Sequence, residues 1–334
     1  MSKNLSESNI DRQNILNNPF AIEEIAKQIK VEGIYIDNQL WLTVDQVANF
    51  YDVSTRTIRN YLEKYDEELK YNGYQVLTGK ALEIAKITYV KETDFLNRIP
   101  SLGVFNFRAF LNIGMLLNDS KKAKNLRALI LDIVISVMNQ KVGLSTKYIN
   151  RNDPQHKQVL LEHIHYHKQL NQSLKNNVAM GNTKYPYFND KVYVFLFKER
   201  YKEYKALLEL KGNERPVDTM YSEILSRISA FEVEFAENIG EAAHTLQRLL
   251  TKAETEELFE KLIKKSLWQP LINSGRILMA SRDYSLRNIV HPNLKEHIFP
   301  LTQEEYKIYL HNKSEDLFIQ IEADKEIYKR LKDK

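Results

Sequence analysis

The sequence predicts a mainly α protein, an N-terminal (winged) helix-turn-helix with a small β-hairpin, followed by helical domains. Three observations predict it. Gly and Pro are scarce, ten and eight among 334 residues, so tight turns are few. Apolar residues recur at helical spacing over most of the chain. Two helix-start signals, Thr43 and Ser54, stand eleven residues apart, which leaves room for one short helix and a turn.

The length suggests about two domains, and 43% hydrophobic residues supply ample core. Lys and Arg number 48 against 44 Asp and Glu, a net charge of only +4. That balance excludes a polybasic coat for nucleic acid and an acidic disordered chain alike; any DNA affinity must come from local groups. Cysteine is absent, which removes disulfides, thiolate metal sites and thiol nucleophiles together and leaves histidine and carboxylate as metal ligands. The opening MSKNLSESNIDRQNILNNPF has no continuous apolar core, so export is not expected and a cytoplasmic location fits. Leu126 to Met138 is the most apolar run, but it is short and carries Asp132; it reads as a buried helix, with no membrane partner.

Residues 1–32 read as a mobile end leading into a short amphipathic helix, Ala21 to Val31. Residues 33–79 form the winged module: a hairpin turning at Asp37-Asn38, helices from Thr43 to about Leu69, and a β-element or wing from Tyr71 to Gly79. Residues 80–150 read as largely helical, with a break around Ile99 to Gly103 and a polar boundary at Tyr148 to Gln155. Residues 151–334 read as a C-terminal helical domain for assembly or partner binding. Within it, Gly181 to Asp190 reads as a loop and Val192 to Phe197 as strand-like, and Gly240 and Pro270 read as breaks. A narrow apolar stripe runs through the charged tail from Tyr306 through Tyr309, Leu310, Leu317, Ile321 and Ile327 to Leu331.

The sharpest feature is TVDQVANFYDVSTRTIRNYL, Thr43 to Leu62. Thr43 with Gln46 makes a capping box, and Ser54 with Thr57 offers the second start. Val47, Ala48 and Tyr51 face inward from the first helix, Val53 plugs the turn, and Ile58, Tyr61 and Leu62 face inward from the second; small Ala48 permits close approach. Asp52 takes the turn position that glycine often fills, because Asp tolerates the left-handed conformation. The second helix then exposes Thr55, Arg56, Arg59, Asn60 and Glu63. Arg can read guanine edges and Asn adenine edges in the major groove. The competing reading is a helical hairpin in a core with no DNA role.

This block, with the Trp41-Leu42-Thr43 entry before it and VFNFRAFLNIGMLLNDSKKAKNLRALILDIVI (Val104 to Ile135) after it, resembles the virulence-associated RhuM family of bacterial DNA-binding proteins, relatives of phage antirepressor (Bro-N-like) domains. The resemblance covers about residues 33–145. It implies a hairpin-flanked DNA-binding module encoded in mobile or defence-associated gene clusters, with residues 80–150 as the RhuM/Bro-N-like helical part and no enzymatic activity.

Ser120-Lys121-Lys122-Ala123-Lys124, with Arg127 a turn later, concentrates cations where the helix dipole does not favour them. Such a cluster suits a phosphate oxygen, although a solvated lysine run is the plainer account. The expected DNA-binding set is therefore Ser54, Thr55, Arg56, Thr57, Arg59, Asn60, Lys64, Lys121, Lys122 and Lys124. The expected partners are double-stranded DNA, a second copy in a homodimer and a protein encoded nearby. No cofactor, catalytic residue or metal is expected. His163 and His167 lie four apart and could face one ion, but EHIHYH is not His-Glu-x-x-His, and with His156 and His165 they read as a solvated helix face. Asp190 with Glu203 and Lys205 is the nearest approach to a nuclease pattern, and Ser281-Arg282-Asp283 reads as a structural Arg–Asp pair. Two alternatives stay open, a protein-binding module of antitoxin or antirepressor type and a metal-dependent nuclease.

Overall fold

Ser8 and Asn18 start the first two helices. The Ser8 hydroxyl accepts from the Asp11 amide at the head of α1 (Asn9–Asn17), and the Asn18 side chain accepts from the Ala21 amide at the head of α2 (Pro19–Gln28). Proline at the first helical position of α2 loses nothing, since that N–H has no intrahelical acceptor. The computed structural model describes residues 4–36, 39–88, 100–142, 147 and 154–311. The Asp37-Asn38 turn, the break at Ile99, the boundary residues 148–153 and the stripe beyond Leu310 lie outside them. The chain divides into two compact units, Met1–Gln140 with Thr302–Tyr306, and Lys141–Leu301 with Lys307–Lys334.

The first unit differs from expectation at its start: residues 4–17 are not a mobile end. Leu5, Ile15 and Leu16 are buried in the core, and Arg12 makes a two-pronged ion pair with Glu68, both contacts 2.7 Å. Polar spelling hid this helix, because its inner face buries Asp11, Gln13 and Asn14 beside the apolar residues. A four-stranded antiparallel sheet, β1 (Ile34–Ile36), β2 (Gln39–Thr43), β3 (Tyr74–Leu77) and β4 (Leu102–Asn106), has the order β1-β2-β4-β3. The hairpin pairs Ile34 with Trp41, and β3 pairs Tyr74 with Phe105. Central β4 falls inside the stretch read as helical; Leu102, Val104 and Phe105 are buried in it. Gly73, at φ +107°, could carry no Cβ, which would fall 1.9 Å from the Asn106 side chain at the end of β4.

The helices of this unit are α3 (Val44–Tyr51), α4 (Thr55–Lys64), α5 (Asp66–Tyr71), α6 (Gly79–Thr88), α7 (Phe107–Leu116) and α8 (Lys121–Val142). Buried Val47, Ala48, Tyr51, Ile58, Phe110, Ile113, Ala123 and Ile130 form one core between them and the sheet. Tyr51 and Phe110 rings stack at 5.1 Å, and the Tyr51 hydroxyl donates to the Phe110 carbonyl at 2.8 Å.

The second unit comprises α9 (Pro154–Asn177), α10 (Lys184–Phe197), α11 (Tyr201–Leu207), α12 (Ser222–Leu246), α13 (Lys252–Ile263) and α14 (Trp268–Arg282); α15 (Gln303–His311) ends the described chain. Of the loop expected at Gly181 to Asp190 only Gly181 to Thr183 is a turn; from Lys184 onward that segment, with the strand expected at Val192 to Phe197, is instead α10. Its buried Phe188, Val192, Leu196 and Phe197 recur at helical spacing, with exposed Val194 off that face. A six-residue apolar run does not distinguish a strand from a buried helical segment. Gly240 lies within α12 and Pro270 within the first turn of α14, so neither breaks a helix. Aromatic edges fill this core, with Phe231 against Phe259 and Trp268 at 5.4 and 5.1 Å.

A single π turn, Asp283–Arg287, follows α14 and carries a buried charge network. Asp283 meets Arg287 at 3.0 Å and His291 Nε2 at 2.7 Å and accepts from the Tyr221 hydroxyl at 2.6 Å; His291 Nδ1 lies 2.8 Å from Glu199. Arg282 does not pair with Asp283 as expected. It forms two 3.0 Å bonds to Glu223 and lies over the Tyr309 ring.

Candidate nucleic-acid interface

Strand β2 delivers the chain into α3 through Thr43. Its hydroxyl accepts from the Gln46 amide at 3.2 Å while the Gln46 side chain accepts from the Thr43 amide at 2.9 Å, the reciprocal cap the spacing predicts. Asp52 ends α3 in the left-handed region at φ 56°, and the Val53 amide donates back to the Ala48 carbonyl at 3.0 Å. Ser54 then caps α4, accepting from the Thr57 amide at 3.0 Å, and the Ser54 and Thr57 hydroxyls lie 2.9 Å apart.

These caps fix which face of α4 is free. Ile58 and Leu62 are buried, and Tyr61 is half-buried against the core. Arg56, Arg59, Asn60, Glu63 and Lys64 are exposed, and Thr55 and Thr57 are half-exposed. Among the described residues no ion pair holds Arg56 or Arg59, and Lys64 rests over the Tyr65 ring at 5.0 Å. Of the predicted set, Ser54 and Thr57 are engaged with each other; the rest of the helix set lies on the open side.

The start of α8, which carries the lysine cluster, is tied to α3 and α4 for a reason the local sequence does not show. Ser120 is buried; its hydroxyl accepts from the Ala123 amide at 3.0 Å and donates to the Tyr51 carbonyl at 2.6 Å. The Asn118 amide donates to the Tyr61 hydroxyl at 3.3 Å. The start of α8 is thus fastened both to the end of α3 and to α4, with Lys121, Lys122 and Lys124 exposed and Ala123 buried beneath them. Arg127 is not part of this patch. Its guanidinium donates to the Gly114 carbonyl at 3.1 Å and to the Leu117 carbonyl, so it closes the end of α7 instead of facing solvent.

The sequence reading placed Tyr61 inward and Ser120 in the basic turn, but it missed Asn118 and the long-range bonds by which Tyr61 and Ser120 hold the start of α8. Gln75 and Val76 are exposed along the edge strand β3. Acidic Asp45, Asp52 and Glu63 are exposed on the same two helices, which keeps the local field mild.

The other candidates resolve differently. Asp190 accepts from the Tyr201 amide at 3.2 Å and Glu203 from the Arg200 amide at 2.7 Å, both at the start of α11, while Lys205 donates to the Gly212 carbonyl at 3.0 Å in the turn beyond it. The Ser281 hydroxyl accepts from the Phe299 amide at 2.9 Å. The histidine helix is not a solvated face: His156 and His163 are buried, and only His165 is exposed. No family model, no curated protein and no solved structure matches this chain. Among the described residues no helix is long and apolar enough to cross a membrane.

Proposed function

We propose that the first unit is a sequence-specific DNA-binding module in which α3 and α4 act as a helix-turn-helix. The single observation carrying this reading is that Arg56, Arg59 and Asn60, the base-reading residue types, share the open face of a helix whose opposite face is locked by Ile58 and Leu62. In this reading α4 enters the major groove, where Arg59 and Asn60 meet base edges, while Arg56 and Lys64 hold the flanking backbone. Lys121, Lys122 and Lys124 contact phosphate beside the groove, and the wing strand flanks the duplex. Thr55, Ser54 and Thr57 set the angle at which the helix begins.

The near-neutral charge gives this model a definite character. Weak non-specific attraction means that affinity comes from base contacts and from pairing of two modules on two half-sites, as a homodimer. The biological role that follows is transcriptional regulation of a mobile-element, phage-defence or toxin–antitoxin locus, in line with the RhuM-like blocks. Selection of bound duplexes from a random DNA pool tests this reading. A single enriched motif, repeated at one helical turn or a multiple of it, is the expected result. A pool with no enrichment, together with a stable complex with a protein encoded nearby, overturns it in favour of a protein-binding module.

A further inference from the structure

In the second unit, α9 and α12 run side by side in the same direction, so that His163 faces Ser229, His167 faces Glu232 and Ser173 bonds to the Ala236 carbonyl. One turn of α9 separates the two histidines, which places both rings on the side turned toward Glu232, with centroids 5.8 Å apart. His167 Nδ1 lies 2.8 Å from Glu232 Oε1, and His163 Nδ1 lies 3.8 Å from Glu232 Oε2. One donor atom from each of the three residues falls within 4.8 Å of the others.

Glu232 is fully buried, yet its Oε2 has no hydrogen-bond partner. A buried carboxylate oxygen without a donor is costly and rare, and a cation between it and the two imidazoles would satisfy it. The Ser229 hydroxyl donates to the Leu225 carbonyl at 2.8 Å and so accepts from the same His163 Nδ1 at 3.2 Å; on binding, His163 Nδ1 exchanges this contact for the ion.

We propose that His163, His167 and Glu232 bind a divalent first-row transition-metal ion, with an open coordination position facing the cleft beside α9. Two imidazoles and one carboxylate suit Zn²⁺ or Fe²⁺, whereas Mg²⁺ and Ca²⁺ call for oxygen donors throughout. Ligand bonds of about 2.0–2.2 Å place donor atoms roughly 3.3 Å apart around such an ion, so the three side chains need shift by only about an ångström or so. The half-exposed His167 provides the entry side. It lines a cleft of about 610 Å³ together with Asn171, Lys175, Tyr185 and Asn189. Water or a small anionic ligand drawn by Lys175 would take the remaining position.

The test is titration of the chelator-treated full chain with Co²⁺, followed by its visible absorption, and competition with Zn²⁺. One saturable equivalent with the intense bands of a low-coordinate ion is expected, displaced by Zn²⁺. His167→Gln, at a half-exposed position that tolerates the change, is expected to weaken binding at least tenfold, as is Glu232→Gln. His165→Gln, on the exposed face of the same helix, is expected to leave binding unchanged. Circular dichroism confirms that each variant is folded, and His167→Gln alone decides the matter if Glu232→Gln is not. Absence of saturable binding to the wild-type chain, or equal affinity in wild type and His167→Gln, overturns the proposal.

Discussion

The Ser120 hydroxyl donates a 2.6 Å hydrogen bond to the Tyr51 carbonyl, across 69 residues of sequence. Tyr51 is the last residue of α3, where backbone carbonyls lack intrahelical donors, and Ser120 is the cap of α8, so one hydroxyl serves two helix ends at once. This places the lysine cluster beside the turn that launches α4. Ser120→Ala is therefore expected to destabilise the chain by about 1–2 kcal/mol, the range of a lost N-cap, in urea unfolding. Loss of DNA affinity with little loss of stability would show that the bond matters for orientation alone.

Gly114 and Tyr51 are in tighter contact still. A Cβ at Gly114 would stand 2.2 Å from the Tyr51 hydroxyl oxygen, at a ring that is fully buried. Gly114→Ala should cost about 1–3 kcal/mol through overpacking. Tyr51→Phe removes the nearest blocking atom along with its bond to Phe110, while ring carbons Cζ and Cε1 stay 2.6 and 2.8 Å from that Cβ, so the double variant should recover only part of the overpacking cost relative to the sum of the single effects. Strict additivity in a double-mutant cycle would contradict this packing account.

Arg12 and Glu68 tie the first helix to α5, and both side chains are nine-tenths buried or more. Among the described residues Glu68→Ala leaves the buried guanidinium with the Leu5 carbonyl as its acceptor, and it should cost about 3–5 kcal/mol. Replacing both partners, Arg12→Met with Glu68→Leu, should recover most of that loss. Equal unfolding midpoints for wild type and Glu68→Ala would show that α1 is peripheral to the core.

The alkaline arm of stability should belong to His291. Burial opposes its charge, but hydrogen bonds to Asp283 and Glu199 outweigh that penalty and push its pKa up to about 9. A folded pKa above the unfolded value of about 6.5 adds stability that is complete below that pH and is lost as pH rises through about 9. Asp283 acts in the opposite sense: burial is outweighed by the Arg287 charge and the His291 bond, its pKa is lowered, and its contribution fades as pH falls below the ordinary carboxylate range. The unfolding free energy from urea titrations should thus decline between about pH 6.5 and 9, by an amount on the order of 3 kcal/mol for the wild type. His291→Gln should be less stable at neutral pH and nearly flat over that interval.

What could be read in advance follows from the range of the interactions. The caps at Thr43 and Ser54, the left-handed Asp52 and the open face of α4 are local, set by side chains within four residues of one another, and the structure places them as the sequence suggested. Helix α1 escaped notice because its buried face is spelled with Asp, Gln and Asn, whose partners lie elsewhere in the fold. Val192 to Phe197 misled because six apolar residues suit either period. The cluster joins His163 and His167 to Glu232, 65 residues beyond His167, and nothing near His163 in sequence announces that buried carboxylate.

Arg59 and Lys122 separate reading from holding in the DNA model. Both are exposed cations, on α4 and at the start of α8. Arg59→Ala should cost about 1–3 kcal/mol on the selected motif and relax preference at one base position, because a two-pronged contact to a guanine edge is lost. Lys122→Ala should weaken binding to every duplex alike and lower the slope of log affinity against log salt by about one, since a phosphate contact releases one counterion. Binding isotherms over a range of salt concentrations, for the motif and for scrambled DNA, distinguish the two patterns. If Arg59→Ala weakened all sequences equally while leaving base preference intact, α4 would be holding the backbone, and the groove-docking model would be wrong.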